Sequence, residues 1–134
     1  MTTDTQTTAT VSKIANVIIP VRDQDGMLAF YTDKLGLEQR ADIPFGNGDR
    51  WIEVAPAGTE TVIALCPPGP SNDAGSRQTG ITLQTDDIEG YRERLAAAGV
   101  DVDDEVSRMG DPVPPLCWFR DPEGNSLMLV EVSD

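Results

Sequence analysis

The chain of 134 residues contains no histidine. This absence excludes nucleophile systems of the Ser-His-Asp and Cys-His kinds, together with imidazole general bases. It also removes the most common protein ligand of zinc, iron, nickel and manganese in enzymes. Any chemistry must therefore use carboxylates, hydroxyls, amides, thiols or the backbone.

Cations and long apolar runs are scarce as well. Lys and Arg number 10 against 23 Asp and Glu, so the formal net charge is −13. Such a surface disfavours nucleic-acid and membrane partners and favours cationic ones. No run approaches the roughly 20 apolar residues of a membrane span. The two cysteines, Cys66 and Cys117, lie in apolar stretches typical of buried thiols, which predicts a reducing, cytoplasmic location but leaves a disulfide open.

The rest of the sequence predicts a short tail followed by two similar halves. Residues 1–12 are rich in threonine and lack an apolar core, which predicts a disordered tail. Residues 67–78 are dense in Pro, Gly and Ser, which predicts a linker. The first half, 13–66, shows apolar patterns for four strands and one helix. The strands are predicted at Ile14–Val21, Leu37–Ile43, Arg50–Ala55 and Thr61–Cys66, and the helix at Gly26–Leu35.

The second half, 79–134, repeats this order of elements. Its strands are predicted at Gly80–Thr85, Val100–Val106, Pro115–Arg120 and Asn125–Val132, and its helix at Asp87–Ala98. The repeat predicts an α+β fold of two tandem βαβββ modules within one domain, 13–134. Each module can cover only one face of its sheet with a helix. We therefore expect the two curved mixed sheets to associate and to enclose a cleft.

Three motifs resemble the glyoxalase, bleomycin-resistance and extradiol-dioxygenase superfamily, also called vicinal oxygen chelate proteins. The motifs are Phe30–Leu37 (FYTDKLGL), Thr85–Ile88 (TDDI) and Phe119–Leu127 (FRDPEGNSL). The resemblance covers nearly the whole chain after Ser12. It implies the two-module fold, but it does not select one activity, because the superfamily supports several on one scaffold.

Enzymes of this superfamily hold a divalent metal in the cleft. Their ligand positions correspond here to Asn16, Gly80, Met128 and Ala64, or to Ile63 if the register shifts by one. Of these side chains only that of Asn16 offers an oxygen donor, and a stable site needs three or four ligands. The resemblance therefore predicts a member with no metal and no cofactor. The carboxylates that could rebuild a site are Glu53 and Glu131, although strand parity turns Glu131 away from the cleft.

Strand alternation gives a set of residues expected to face the cleft. Trp51 and Trp118 occupy corresponding strands, where their indoles could sandwich a planar ligand. Glu53 and Arg120 would add one anion and one cation to these aromatic walls. The alternative for each residue is ordinary packing or a solvent-facing position. The predicted ligand pocket consists of Asn16, Ile18, Trp51, Glu53, Thr82, Gln84, Trp118, Arg120 and Met128.

The leading function hypothesis is a metal-independent small-molecule-binding protein of the bleomycin-resistance type. Its ligand would be partly hydrophobic, and the acidic surface favours a cation. An alternative is a lyase, isomerase or dioxygenase-like enzyme with a non-standard or absent metal site, with Glu53 or Asp86 as base and Arg50 or Arg120 as oxyanion partner. A third reading is a structural or regulatory subunit with a vestigial cleft. The resemblance also implies a homodimer.

Metal content distinguishes the first hypothesis from a metal-dependent enzyme. We expect protein purified without chelator, from medium supplemented with iron, manganese, nickel and zinc, to contain far less than one metal ion per chain. The physical reason is that the corresponding positions lack donor side chains. Elemental analysis of the purified protein measures this directly. One metal ion per chain would show that carboxylates such as Glu53 or Glu131 have rebuilt a site.

Overall fold

The structure, a computed structural model, describes residues 8–70 and 73–132. The first seven residues of the predicted tail, and residues 71 and 72 of the predicted linker, lie outside the described part. Each half contains a strand, a helix and three further strands, in the predicted order. The first half comprises β1 (Asn16–Pro20), α1 (Gln24–Ala29), a π-helical continuation (Phe30–Lys34), β2 (Glu38–Gly46), β3 (Asp49–Ala55) and β4 (Val62–Cys66).

The second half forms its own sheet. It comprises β5 (Gln78–Thr85), α2 (Ile88–Ala97), β6 (Asp101–Val102), β7 (Leu116–Arg120) and β8 (Ser126–Glu131). The strand orders are β1-β4-β3-β2 in sheet 1 and β5-β8-β7-β6 in sheet 2. The pairs β1–β4 and β5–β8 are parallel, and the other pairs are antiparallel. The α+β class and the two mixed sheets are therefore confirmed.

Both helices begin at an aspartate that caps the first turn. The side chain of Asp23 accepts a hydrogen bond from Gly26 N at 3.0 Å, and that of Asp87 accepts one from Gly90 N at 3.0 Å. Because a carboxylate there satisfies an otherwise unpaired amide, helix formation starts immediately after it. The predicted start of α2 is correct to one residue, whereas α1 begins two residues before the predicted Gly26.

One strand is much shorter than expected. The sequence predicts a strand over Val100–Val106, but β6 spans only Asp101–Val102. At Asp103 the carboxylate accepts hydrogen bonds from Trp118 N and from the Arg120 guanidinium, each at 3.0 Å. A short polar side chain that bonds to the neighbouring strand competes in this way with the regular backbone ladder.

The two modules share one hydrophobic core. Each sheet turns its helix-bearing face into this core, and the opposite face of each sheet, here called its open face, points away from it. The open faces are not covered by one another: Ile18 is 43% exposed, and Thr82 and Gln84 are also exposed. Within one chain the sheets therefore do not close into the expected cleft. The shared core includes Ile19, Ile52 and Leu65 of sheet 1, Phe119, Leu127 and Leu129 of sheet 2, and Met27, Phe30, Ile88 and Leu95 of the helices.

A buried carboxylate joins the two modules beside this core. Asp121, 4% exposed, accepts a hydrogen bond from the hydroxyl of Tyr31 at 2.8 Å. It also accepts bonds from the side-chain and backbone nitrogens of Asn125, each at 2.9 Å, and from Glu123 N at 2.9 Å. Because every one of these donors satisfies a buried charge, the β7–β8 turn and the first helical segment are held in one arrangement.

Two further contacts cross between the modules. The carboxylate of Glu123 accepts hydrogen bonds from Arg22 N and Asp23 N at 2.8–3.0 Å, which satisfies free amides at the start of α1. The hydroxyl of Tyr91 on α2 donates to the carbonyl of Leu35 at 2.5 Å. Together with the bonds of Asp121, these contacts fix the helix-bearing sides of the two modules against each other.

Replacing Tyr31 with phenylalanine tests how much its hydrogen bond to Asp121 stabilises the protein. Tyr31→Phe leaves the buried carboxylate of Asp121 one donor short, so we expect a loss of about 1.5–3 kcal/mol in the free energy of unfolding. Tyr91→Phe is a matched control, because its hydroxyl bonds to a neutral carbonyl and its removal should cost only about 1 kcal/mol. Urea denaturation measures both. Equal losses in the two variants would argue against a special role for the bond to Asp121.

The buried tyrosine and cysteine side chains predict that the protein loses stability at alkaline pH. Burial, with the neighbouring Asp121 carboxylate, raises the pKa of Tyr31, and burial is also the main cause of the raised pKa values of Tyr91, Cys66 and Cys117. A raised pKa means that the unfolded chain releases the proton first as pH rises. The stability contribution is thus complete below the ordinary pKa and is lost above it, so the free energy of unfolding should fall from about pH 9 upward.

Urea denaturation at a series of alkaline pH values measures this decline. Tyr31→Phe removes one of the four titrating groups, so its stability should fall less steeply with pH than that of the wild type. A stability that is constant between about pH 8 and about pH 11 would contradict the linkage.

Candidate functional site

The open face of sheet 1 is mostly apolar. The pairing register places Ile18 beside Ala64, Ala64 beside Glu53, and Glu53 beside Ala41, so these four residues form one row across β1, β4, β3 and β2. Because side chains alternate along a strand, Trp51 lies two residues from Glu53 on the same face. The side chains that alternate with them point to the helix side and belong to the core, among them Ile19, Ile52 and Leu65. Glu53 is thus a carboxylate in an apolar row.

Trp51 and Glu53 bond directly to each other. The indole nitrogen Nε1 of Trp51 donates to Oε2 of Glu53 at 2.8 Å, and both side chains are half-buried. Cys66 lies on the neighbouring strand β4, two residues from Ala64, the partner of Glu53. Burial, and then the negative charge of Glu53, raise the pKa of its thiol. The sequence places Trp51 and Glu53 on one face, but nothing in it reveals this hydrogen bond.

The open face of sheet 2 carries the remaining predicted residues. The register aligns Thr82 with Met128 and Met128 with Trp118, which makes a row across β5, β8 and β7. Gln84 pairs with Val130 in the next row. Thr82 and Gln84 are exposed, whereas Met128 and Trp118 are half-buried. All nine predicted pocket residues therefore lie on the open faces: Asn16, Ile18, Trp51 and Glu53 on sheet 1, and Thr82, Gln84, Trp118, Arg120 and Met128 on sheet 2.

The two arginines that the sequence suggests for the site, Arg120 and Arg50, are already ion-paired. Arg120 forms ion pairs with Asp101 at 2.9 Å and with Asp103 at 3.0 Å. Hydrogen bonds to these carboxylates, that to Asp101 foremost, raise the pKa of Arg120. Arg50 is paired in the same way with Asp42 and Asp25 on the helix side of sheet 1. Arg120, which the sequence predicts as the cation of the pocket, is therefore already ion-paired with two carboxylates.

A groove of about 750 Å³ lies where the two halves meet. Sheet 1 contributes Val17 and Val62 to its walls, and β5 contributes Gly80, Thr82 and Gln84. The side chains that form the walls are uncharged, and neither tryptophan belongs to them. The groove and the Trp51–Glu53 pair are thus separate candidates. The open faces, unlike the groove, hold the two indoles and the carboxylate of Glu53.

Sequence reasoning missed the part of sheet 1 contributed by β2. Ile43 pairs with Trp51 and is 57% exposed, and Phe45 near the end of the strand is 59% exposed. Ala41, beside Glu53, belongs to the same strand. The alternation of Ala41, Ile43 and Phe45 with polar or proline residues is the signal that could have extended the predicted face.

The family of this chain follows from a comparison over most of its length. A family model described as the Glyoxalase/Bleomycin resistance protein/Dioxygenase superfamily matches residues 13–129. The chain belongs to this superfamily. This membership accords with the paired four-stranded sheets and with the motif that contains the Asp121 turn.

Three relatives illustrate the similarity. The uncharacterized protein YetH of Bacillus subtilis (strain 168) is 31% identical over 90% of this chain and 99% of its own length. The crystal structure of TnmS3, an antibiotic binding protein from Streptomyces sp. CB03234, is 34% identical, with a TM-score of 0.80 over 93% of this chain and 99% of its own. A superfamily member from Sphaerobacter thermophilus DSM 20745 is 32% identical, with a TM-score of 0.82 over 91% and 98%.

The metal positions of the superfamily's enzymes do not fit a divalent ion in this member. Ala64, rather than Ile63, lies on the open face of sheet 1, because Ile63 belongs to the core. The side chain of Glu131 reaches the start of α2, where its Oε2 accepts a hydrogen bond from Ile88 N at 3.1 Å. Within residues 8–70 and 73–132, no three Cys, Asp or Glu side chains are grouped so that they could hold a metal ion. The same residues include no helix long and apolar enough to cross a membrane.

Proposed function

We propose that this superfamily member is a metal-independent binding protein for a partly hydrophobic small molecule. The observation that carries the proposal is the open face of sheet 1, which holds Ile18, Ile43 and Trp51 together with the carboxylate of Glu53. Apolar walls with a few placed polar groups are the usual composition of ligand sites. The relative TnmS3, described as an antibiotic binding protein, supports a binding role rather than a catalytic one.

We also propose that the protein acts as a cytoplasmic homodimer and that a second chain completes the site. The predicted residues fall on two open faces, and these faces point away from the core that the two modules share. Exposed apolar side chains such as Ile18, Ile43 and Phe45 favour association with another surface. Sheet 1 of one chain and sheet 2 of the other would then enclose the ligand between Trp51 and Trp118.

The geometry favours binding over the enzyme alternative. A metal-free reaction would need Glu53 or Asp86 as base and a free cation to stabilise an oxyanion. Arg50 and Arg120 are each held by two carboxylates, which already balance their charge. Asp86 lies next to Asp87, the residue that caps α2. If the protein were instead a structural or regulatory subunit with a vestigial cleft, the wild type would bind no small molecule. Trp51→Ala would then change no ligand affinity.

A complementation experiment tests both the site and its assembly. The probe is Nile red, a planar, uncharged fluorophore. Trp51→Ala and Trp118→Ala should each weaken its binding by about tenfold or more, because each removes an aromatic wall. A heterodimer of one chain of each variant should recover one site of wild-type affinity. In that dimer, one of the two clefts combines the intact sheet 1 of one chain with the intact sheet 2 of the other.

The alternatives give different results in the same fluorescence titration. A cleft formed within one chain would leave the heterodimer with no intact site. Binding in the 750 Å³ groove would survive Trp51→Ala, because Trp51 does not contribute to its walls. Size-exclusion chromatography of the wild type serves as the control for dimer formation, and a monomer would contradict the shared cleft.

A further inference from the structure

The proposed site has no free cation. Arg120 on the open face of sheet 2 is ion-paired with two carboxylates, those of Asp101 and Asp103. Among the residues that the structure describes, no Lys or Arg lies within ion-pair distance of Glu53 on sheet 1, which bonds instead to the neutral indole of Trp51. A half-buried carboxylate with no cation beside it is costly, and further covering of the face would increase that cost. The site is therefore anionic rather than mixed.

The neighbours of Glu53 on the adjoining strands are small. Ala41 and Ala64 flank it on the two adjoining strands, and both have side chains of a single methyl group. The carboxylate thus has no bulky side chain beside it on either adjoining strand, and on its own strand it bonds to Trp51.

Trp51 helps to orient the carboxylate of Glu53. Its Nε1 donates to Oε2, and the other oxygen, Oε1, does not take part in this bond. The sequence predicts that the indole of Trp51 forms one aromatic wall of the pocket. The hydrogen bond adds a second role, that of a positioning residue for Glu53.

We propose that the ligand carries an ammonium or amidinium group that binds Oε1 of Glu53, with Trp51 holding the carboxylate in place. This inference rests on the proposed function and specifies its ligand class. An organic cation with N–H donors supplies both the missing charge and the missing hydrogen bonds. Its hydrophobic part would lie against Trp51, Ile43 and Ile18.

Three probes with one ring system test the charge preference. They are naphthylmethylamine, a cation at neutral pH; naphthylmethanol, which is neutral; and naphthylacetate, an anion. Binding to the full chain is measured by NMR titration, in which the two tryptophans give only two indole signals. We expect the amine to bind at least about tenfold more tightly than the alcohol, the acetate to bind most weakly, and the Trp51 signal to shift.

Matched variants separate recognition from damage to the fold. Glu53→Gln should bring the affinities for amine and alcohol to within about twofold of each other, since it removes the charge but keeps the shape. Glu93→Gln, which removes an exposed carboxylate on α2, should leave the ratio unchanged. Trp51→Phe keeps an aromatic ring but loses the N–H donor. It should lower the ratio several-fold while affinity for the alcohol changes little, and its missing indole signal assigns Trp51.

Two results would overturn the inference in different ways. Equal affinities for the three probes, unchanged by Glu53→Gln, would reject the cationic ligand class and leave the small-molecule site standing. A failure of all three probes to shift either indole signal would reject the proposed site as well as its charge preference.

Discussion

The buried carboxylate of Asp121 is the interaction on which the arrangement of this molecule depends. A charge at 4% exposure is tolerable only when it is fully hydrogen-bonded, and its donors come from the first helical segment and from its own turn. Tyr31 belongs to one module and Asn125 to the other. The hydrogen bonds that satisfy this one group therefore also hold the two modules together, beside the hydrophobic core that they share.

The location of the site follows from this arrangement. Because the helix-bearing faces are used in the core, the other face of each sheet remains open, and the residues that the sequence predicts for the pocket lie there. Trp51 and Glu53 belong to one such face, and Thr82 and Trp118 to the other. Under the proposed function, a second copy of the chain covers these residues with its complementary face.

Much of the fold can be predicted from the sequence, because apolar periodicity and the caps at Asp23 and Asp87 are local signals. The open-face positions of the site residues follow from strand alternation, a local property as well. The closed cleft was a wrong expectation for the single chain, since periodicity does not show which faces of two modules meet. The pairing of Arg120 with Asp101 and Asp103, and that of Trp51 with Glu53, depends on side-chain geometry that no sequence pattern encodes. The choice between Ala64 and Ile63 for the open-face position likewise required the strand register.

The most direct test of the central claim is a thermal-shift screen of drug-like compounds, run with and without a metal chelator. Binding to the folded chain raises its melting temperature by mass action, whatever the ligand is. The account predicts compounds that stabilise the protein equally in both conditions and that lose their effect in Trp51→Ala. Stabilisation that appears only after a divalent metal is added would contradict a metal-independent binding protein.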